Sequence, residues 1–209
     1  MTDWVDMQRV IPEGKQGTAA ISHFTVTEED EKTSATRAMV TGDRNAFIRR
    51  GKYVRLLVHG EVMMSDTPME RHSNWGVVSY AKGHVLMAGL GVGMIIPPLF
   101  ENDLVTKVTV IEKNPDVIAL VEKPLRVHLG ESRSLRLKII EADIFEWTPD
   151  PGIKFDTVYF DIWPDICLDN LDEMTKLHRR FCRRKSRGAW MGSWQHDYLK
   201  YLKNSGRLR

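Results

Sequence analysis

Val85-Leu86-Met87-Ala88, followed at once by Gly89-Leu90-Gly91-Val92-Gly93, constrains this chain more than any other stretch. Four consecutive apolar residues suit a strand buried on both faces, as in a parallel sheet covered by helices. The glycines after it let the backbone turn sharply and approach a ligand with no Cβ in the way. Taken alone, such a loop reads equally well as an ordinary strand-to-helix turn. The sequence beyond it repeats the theme. Val108–Ile111, Leu135–Ile140, Thr157–Phe160 and Ala189–Met191 are further short apolar runs. Asn114-Pro115 offers a cap followed by proline at the first helical position. Leu171, Met174, Leu177 and Phe181 step by three and four residues and mark one buried helix face.

Strands alternating with helices imply right-handed crossovers, and hence an α/β fold with a doubly wound (Rossmann-like), mostly parallel sheet over residues 83–209. Residues 1–82 read as a small β-rich N-terminal extension. Thr18–Val26 alternates weakly, Thr27-Glu28-Glu29-Asp30 suits a helix start, and Tyr53–Val58 with Val62–Met64 flank His59-Gly60 as a hairpin. Pro97-Pro98 and Pro124 fall inside the first two crossover helices. An interior proline costs ~3 kcal/mol or more, so those helices should start late, kink or break there.

Bulk properties exclude several classes. A chain of 209 residues fits one domain with a small appendage, and 42% hydrophobic with 28% charged residues is ordinary for a globular protein. A net charge of +2 points neither toward nor away from nucleic acid. Cys167 and Cys182 make neither a disulfide framework nor a zinc cluster, which fits a reducing interior. The first residues lack a basic start and an apolar stretch, and no apolar run nears the ~20 residues of a membrane span. The expectation is a cytoplasmic protein without a membrane partner. None of the seven histidines stands at metal-ligand spacing from another, so no metal is expected.

The acids carry the functional argument. Glu112 closes the second apolar run about twenty residues past the glycines, where a carboxylate can accept both ribose hydroxyl hydrogens. A solvated strand-end glutamate is the plainer alternative. Asp143 follows the third run, placed to accept from an adenine amino group while Ile144 packs on the ring. Asp161 follows the fourth. Three successive strand ends bearing acids behind a glycine turn favour a nucleotide-like ligand.

With these residues the chain resembles the class I S-adenosylmethionine-dependent transferases, in particular their spermidine-synthase-like branch, over about Leu56 to Ser193. The resemblance implies that Gly89, Leu90, Gly91 and Gly93 form the loop for S-adenosylmethionine. It places Glu112 at the ribose, Asp143 and Ile144 at the adenine, and Asp161 at the reacting centre, with Lys113 a further cofactor-binding residue. Arg55–Met63 resembles the hairpin that walls that family's site. A complete sheet of this type carries two more strands than the five legible here, so the N-terminal strands should finish or cover it. The departures weigh against aminopropyl transfer: Val92 replaces an aspartate, Met63 a glutamine, and Pro164 an aspartate, with Asp165 next door. A polyamine needs several carboxylates to replace its water.

The leading expectation is therefore a methyltransferase acting on a small molecule or an exposed amine or hydroxyl, with Asp161 orienting or deprotonating the acceptor. Alternatively, Asp161 caps the next helix or only binds cofactor. Trp163, Pro164 and Asp165 would shape the acceptor pocket, although Trp163 serves equally well as a packing residue. His72 would border that pocket, or lie on the surface. An aminopropyltransferase and a non-catalytic cofactor-binding module are the competing readings. Arg179–Arg187 is strongly basic, but cations also gather at helix C-termini, so nucleic acid is not the favoured partner. Trp190 is expected inside a buried strand. The oligomeric state stays open, a homodimer included. Two observations would overturn the cofactor site: Glu112 pointing away from the glycine elbow, or a side chain blocking that elbow.

Overall fold

The computed structural model describes residues 4–42 and 46–206. The first three residues of the stretch read above for a leader lie outside that range. The N-terminal part forms a four-stranded antiparallel sheet of β1 (Gly14–Gln16), β2 (Ala19–Val26), β3 (Gly51–Val58) and β4 (Glu61–Ser65), in that order. Helix α1 (Glu28–Thr41) starts after β2 at a reciprocal capping box between Thr27 and Asp30. β3 and β4 are joined by His59 and Gly60, both at positive φ, the two-residue turn whose twist matches its strands. Leu56 pairs with Met64 but Leu57 with Val62, so Met63 is bulged out of the ladder. A bulge breaks the strict alternation of side chains, and here it turns Met63 and Met64 into the same cleft.

Two short helices, α2 (Pro68–Ser73) and α3 (Trp75–Tyr80), lead into the parallel sheet. It is built from β5 (Gly83–Ala88), α4 (Ile96–Phe100), β6 (Val105–Glu112), α5 (Pro115–Ser134), β7 (Leu137–Glu141), β8 (Phe155–Phe160), α6 (Asn170–Phe181), β9 (Lys185–Ser193) and α7 (His196–Asn204). The strand order is β7-β6-β5-β8-β9, all parallel. Both faces are covered, which explains the unbroken apolar runs. Val85 and Met87 join the core shared with α4 and α5, whereas Leu86 and Ala88 join that of α6 and α7.

The prolines act differently from one another. Pro97 and Pro98 fall in the first turn of a short α4 that begins only at Ile96, so the helix starts late. α5 instead runs through Pro124 and is interrupted at Gly130, the residue with non-helical angles. Val117, Val121, Leu125 and Leu129 pin α5 to the sheet on either side of that proline, which offsets the hydrogen bond it lacks.

The N-terminal strands cover the parallel sheet and do not extend it. β1 and β2 lie on α5, where Asp116 accepts hydrogen bonds from the Thr18 backbone N–H (2.8 Å) and hydroxyl (3.0 Å). Met7, Ile11, Val54 and Leu56 share one hydrophobic cluster with Val85 and Val121. Among the described residues, no helix is long and apolar enough to cross a membrane. Trp190 differs from expectation: it sits half-buried on the edge strand β9, stacked against Tyr80 and Tyr159. The edge position leaves it only one neighbouring strand.

Candidate active site

Strand order reverses between β5 and β8, because the crossovers from β5 run one way and those from β8 the other. Open α/β sheets bind ligands in the crevice beyond the carboxyl ends at such a point. A cleft of about 1110 Å³, open mouth included, lies there.

The glycine elbow forms its floor. Asp161 donates its backbone N–H to the Ala88 carbonyl at 2.8 Å, which brings β8's end against the elbow. A Cβ on Gly89 would stand 1.9 Å from the Asp161 carbonyl oxygen, and φ is +95°. Only glycine fits that approach. Gly93 is not part of the cleft lining; it lets Val121 and Leu125 of α5 come close, and serves packing between helix and strand.

Glu112 turns toward the elbow. One carboxylate oxygen accepts from the Leu90 N–H at 2.9 Å and the other from the Asn114 N–H at 2.8 Å. A carboxylate offers about four acceptor positions, so about two remain for a ligand. Lys113 lines the cleft beside it. Asp143 accepts from the Phe145 N–H at 2.8 Å, and buried Ile144 follows it in the cleft wall.

That wall is held from behind by Arg180. Its guanidinium donates to the carbonyls of Ile144 (2.8 Å), Phe145, Glu146 (2.8 Å) and Trp147 (2.7 Å). One cation of the basic stretch, Arg180, is thereby committed to the fold, and Lys154 donates to the Arg183 carbonyl near by. Arg180→Ala should cost roughly 2–3 kcal/mol, since several carbonyls lose a charged donor together. Hydrogen exchange across residues 144–148 should accelerate in that variant; unchanged protection would show that the loop holds itself.

The far end of the cleft is acidic and otherwise apolar. Asp161 and Glu70 of α2 both line it, with Met63, Met64, Trp163 and Trp194 around them. Burial pushes the Asp161 carboxyl up to about 7. Burial, and then the nearby Asp161 charge, push Glu70 up to about 8. The folded chain thus holds protons that the unfolded chain has released. Their contribution to stability is fully present below about pH 4 and is lost as pH rises through about 7 and about 8. Thermal unfolding should show Tm falling between about pH 5 and about pH 8.5, a slope that Asp161→Asn together with Glu70→Gln flattens.

Trp163 does two things: it lines the cleft, and its indole N–H donates to Glu173 at 2.7 Å within the core packed on α6. Pro164 lines the cleft as well. His72 and Asp165 do not; both are exposed outside it. His72 is carried to the solvent face of the short α2, whose other side presents Glu70. The Asp165 carbonyl accepts from Asn170 at the start of α6. The elbow itself is open at Gly89 and Leu90 but covered beyond by Met64, whose sulfur accepts from the Val92 N–H at 3.3 Å. The cover is the flexible end of an unbranched side chain, not backbone.

Glu70, Met64 and Trp194 are among the cleft residues that sequence reasoning missed. Glu70 follows Thr67-Pro68 as an ordinary first-turn acid. Nothing local distinguishes it from a solvated one.

No family model matches the sequence. Polyamine aminopropyltransferase 1 of Streptomyces coelicolor is 29% identical over 118 residues, which is 54% of this chain but only 22% of that protein's length. Among solved structures, a putative caffeoyl-CoA O-methyltransferase from Staphylococcus aureus aligns with 85% of this chain and 72% of its own, at 14% identity and a TM-score of 0.49. The CcbJ methyltransferase from Streptomyces caelestis aligns with 59% of this chain and 47% of its own, at 16% identity and a TM-score of 0.46. At such identities function has to be read from the site.

Proposed function

We propose that this chain is an S-adenosylmethionine-dependent methyltransferase acting on a small molecule or an exposed amine or hydroxyl. The observation that carries the proposal is Glu112: its carboxylate faces the glycine elbow with acceptor positions to spare, in one cleft with Asp143, Ile144 and Asp161. The residues fit an adenosine. Glu112 would take the ribose hydroxyls, Asp143 the adenine amino group and Ile144 the ring face. The cofactor, when bound, supplies a methyl group on a positively charged sulfur, which leaves as a neutral thioether. Asp161 stands at the open end of the elbow, and its carboxyl titrates at about 7. A base so poised can accept the acceptor's proton near neutral pH. The surrounding Trp163, Trp194 and Met64 exclude water from that step.

Aminopropyl transfer is the second reading, supported by the partial match to an aminopropyltransferase and by two carboxyls at the acceptor end. The apolar Val92 and Met63 weigh against it. Calorimetric titration of S-adenosylmethionine and of its decarboxylated form separates the two. A methyltransferase should bind the complete cofactor at least as well as the decarboxylated one, and a marked preference for the latter would reverse the assignment. Wild-type protein that binds cofactor yet turns over no acceptor, with binding unchanged in Asp161→Asn, would favour a non-catalytic module. Free Cys167 and Cys182 support a cytoplasmic location. With Arg180 engaged in the fold, nucleic acid is not the partner proposed.

A further inference from the structure

We propose that Glu70 is a second substrate-positioning carboxyl, which with Asp161 holds an acceptor made of one ammonium group on an apolar body. This deepens the transferase reading above and rests on it.

The two acids reach the cleft from unrelated parts of the chain, Glu70 from α2 beyond the hairpin and Asp161 from the end of β8. They are close enough for the charge of Asp161 to act on Glu70. Among the described residues none donates a hydrogen bond to the Asp161 side chain, and burial sets its titration. Both carboxyls are half-buried in the cleft, and a partly desolvated charge gains from a counter-charge or a set of donors. Neither is supplied among the described residues. Among the described residues Lys113 is the one cation in the cleft wall, next to Glu112, where the ribose would sit. Arg71, next to Glu70 in sequence, turns away to pair with Asp66 at 2.9 Å. What the chain withholds, a ligand can bring. An ammonium between the carboxyls would let both ionise, and the rings of Trp163 and Trp194 add cation–π attraction.

The rest of this end is aliphatic or thioether: Leu56, Val58, Met63 and Met64. A second ammonium on the same acceptor would meet those groups with no partner, whereas a ring or alkyl body would be buried favourably. The acceptor class is therefore an apolar monoamine, not a polyamine.

The test uses the intact 209-residue chain saturated with S-adenosylhomocysteine, titrated calorimetrically with phenethylamine, 1,4-diaminobutane and 2-phenylethanol. Phenethylamine should bind about tenfold more tightly than 2-phenylethanol, from one charge-assisted contact, and about tenfold more tightly than 1,4-diaminobutane, whose second ammonium finds no partner and whose body buries less apolar area. Glu70→Gln should weaken phenethylamine about tenfold while changing S-adenosylhomocysteine affinity less than about twofold. Glu70→Asp, which keeps the charge and shortens the reach, should fall between wild type and Glu70→Gln, and decides the matter if the glutamine variant does not fold. Unchanged phenethylamine affinity in these variants, no binding by wild type, or tighter binding of diaminobutane overturns the inference. Any of these with S-adenosylhomocysteine still bound leaves the cofactor site standing. Failure of wild type to bind S-adenosylhomocysteine removes the transferase reading and this inference together.

Discussion

Glu112→Ala should weaken cofactor binding by on the order of 10²–10³-fold, roughly 3–4 kcal/mol, with only a few degrees lost in Tm. Two effects combine. The carboxylate that would take both ribose hydroxyls is gone, and the Leu90 and Asn114 N–H groups lose the acceptor that holds them at 2.9 and 2.8 Å. The elbow is thus loosened at the point where the ligand needs it fixed. Glu112→Gln should fall in between, since one amide oxygen can still accept from one of those N–H groups. Calorimetry with S-adenosylhomocysteine measures both variants. Wild-type affinity in Glu112→Ala would mean that the carboxylate serves only the loop.

Gly89→Ala acts on the fold before it acts on the ligand. The new methyl would stand 1.9 Å from the Asp161 carbonyl oxygen. That oxygen belongs to backbone held by the Asp161 N–H bond to Ala88 at 2.8 Å, so neither strand end can retreat alone. A φ of +95° adds strain of its own. The expected loss is about 3–5 kcal/mol, or a Tm lower by roughly 10 °C in a chain of this size. Gly91→Ala is the internal comparison. Its Cβ would meet the sulfur of Met64, the movable end of a side chain, at a φ of +53° that other residues reach at modest cost. It should lose only about 1–2 kcal/mol, clearly less than Gly89→Ala. Equal Tm losses in the two variants would contradict this account of the elbow.

The parallel sheet was legible because strands buried on both faces must be apolar at consecutive positions. Val85–Ala88 and Thr157–Phe160 could therefore be read without partners, and Asn114 and Thr27 announce their helices by local cap chemistry. Residues at the ends of those strands, Gly89, Glu112 and Asp161, inherit their placement from the sheet and line the cleft as a group. The misses have a common cause. Glu70 faces the cleft, and His72 the solvent, only because of how a six-residue helix is docked, which two neighbouring polar residues do not encode. Met63 and Met64 share one cleft through a bulge, and alternation alone sends adjacent strand residues to opposite faces. Pro124 does not break its helix: burial of α5's apolar face outlasts one lost hydrogen bond, and glycine at 130 interrupts the helix instead.

The central claim is that the elbow and Glu112 together hold one adenosine, and a crystal structure with S-adenosylhomocysteine tests it most directly. The account predicts the ribose hydroxyls on the Glu112 carboxylate, the adenine between Asp143 and Ile144, and the sulfur directed toward Asp161. An adenosine bound elsewhere, or lying in this cleft with its ribose clear of Glu112, would contradict it.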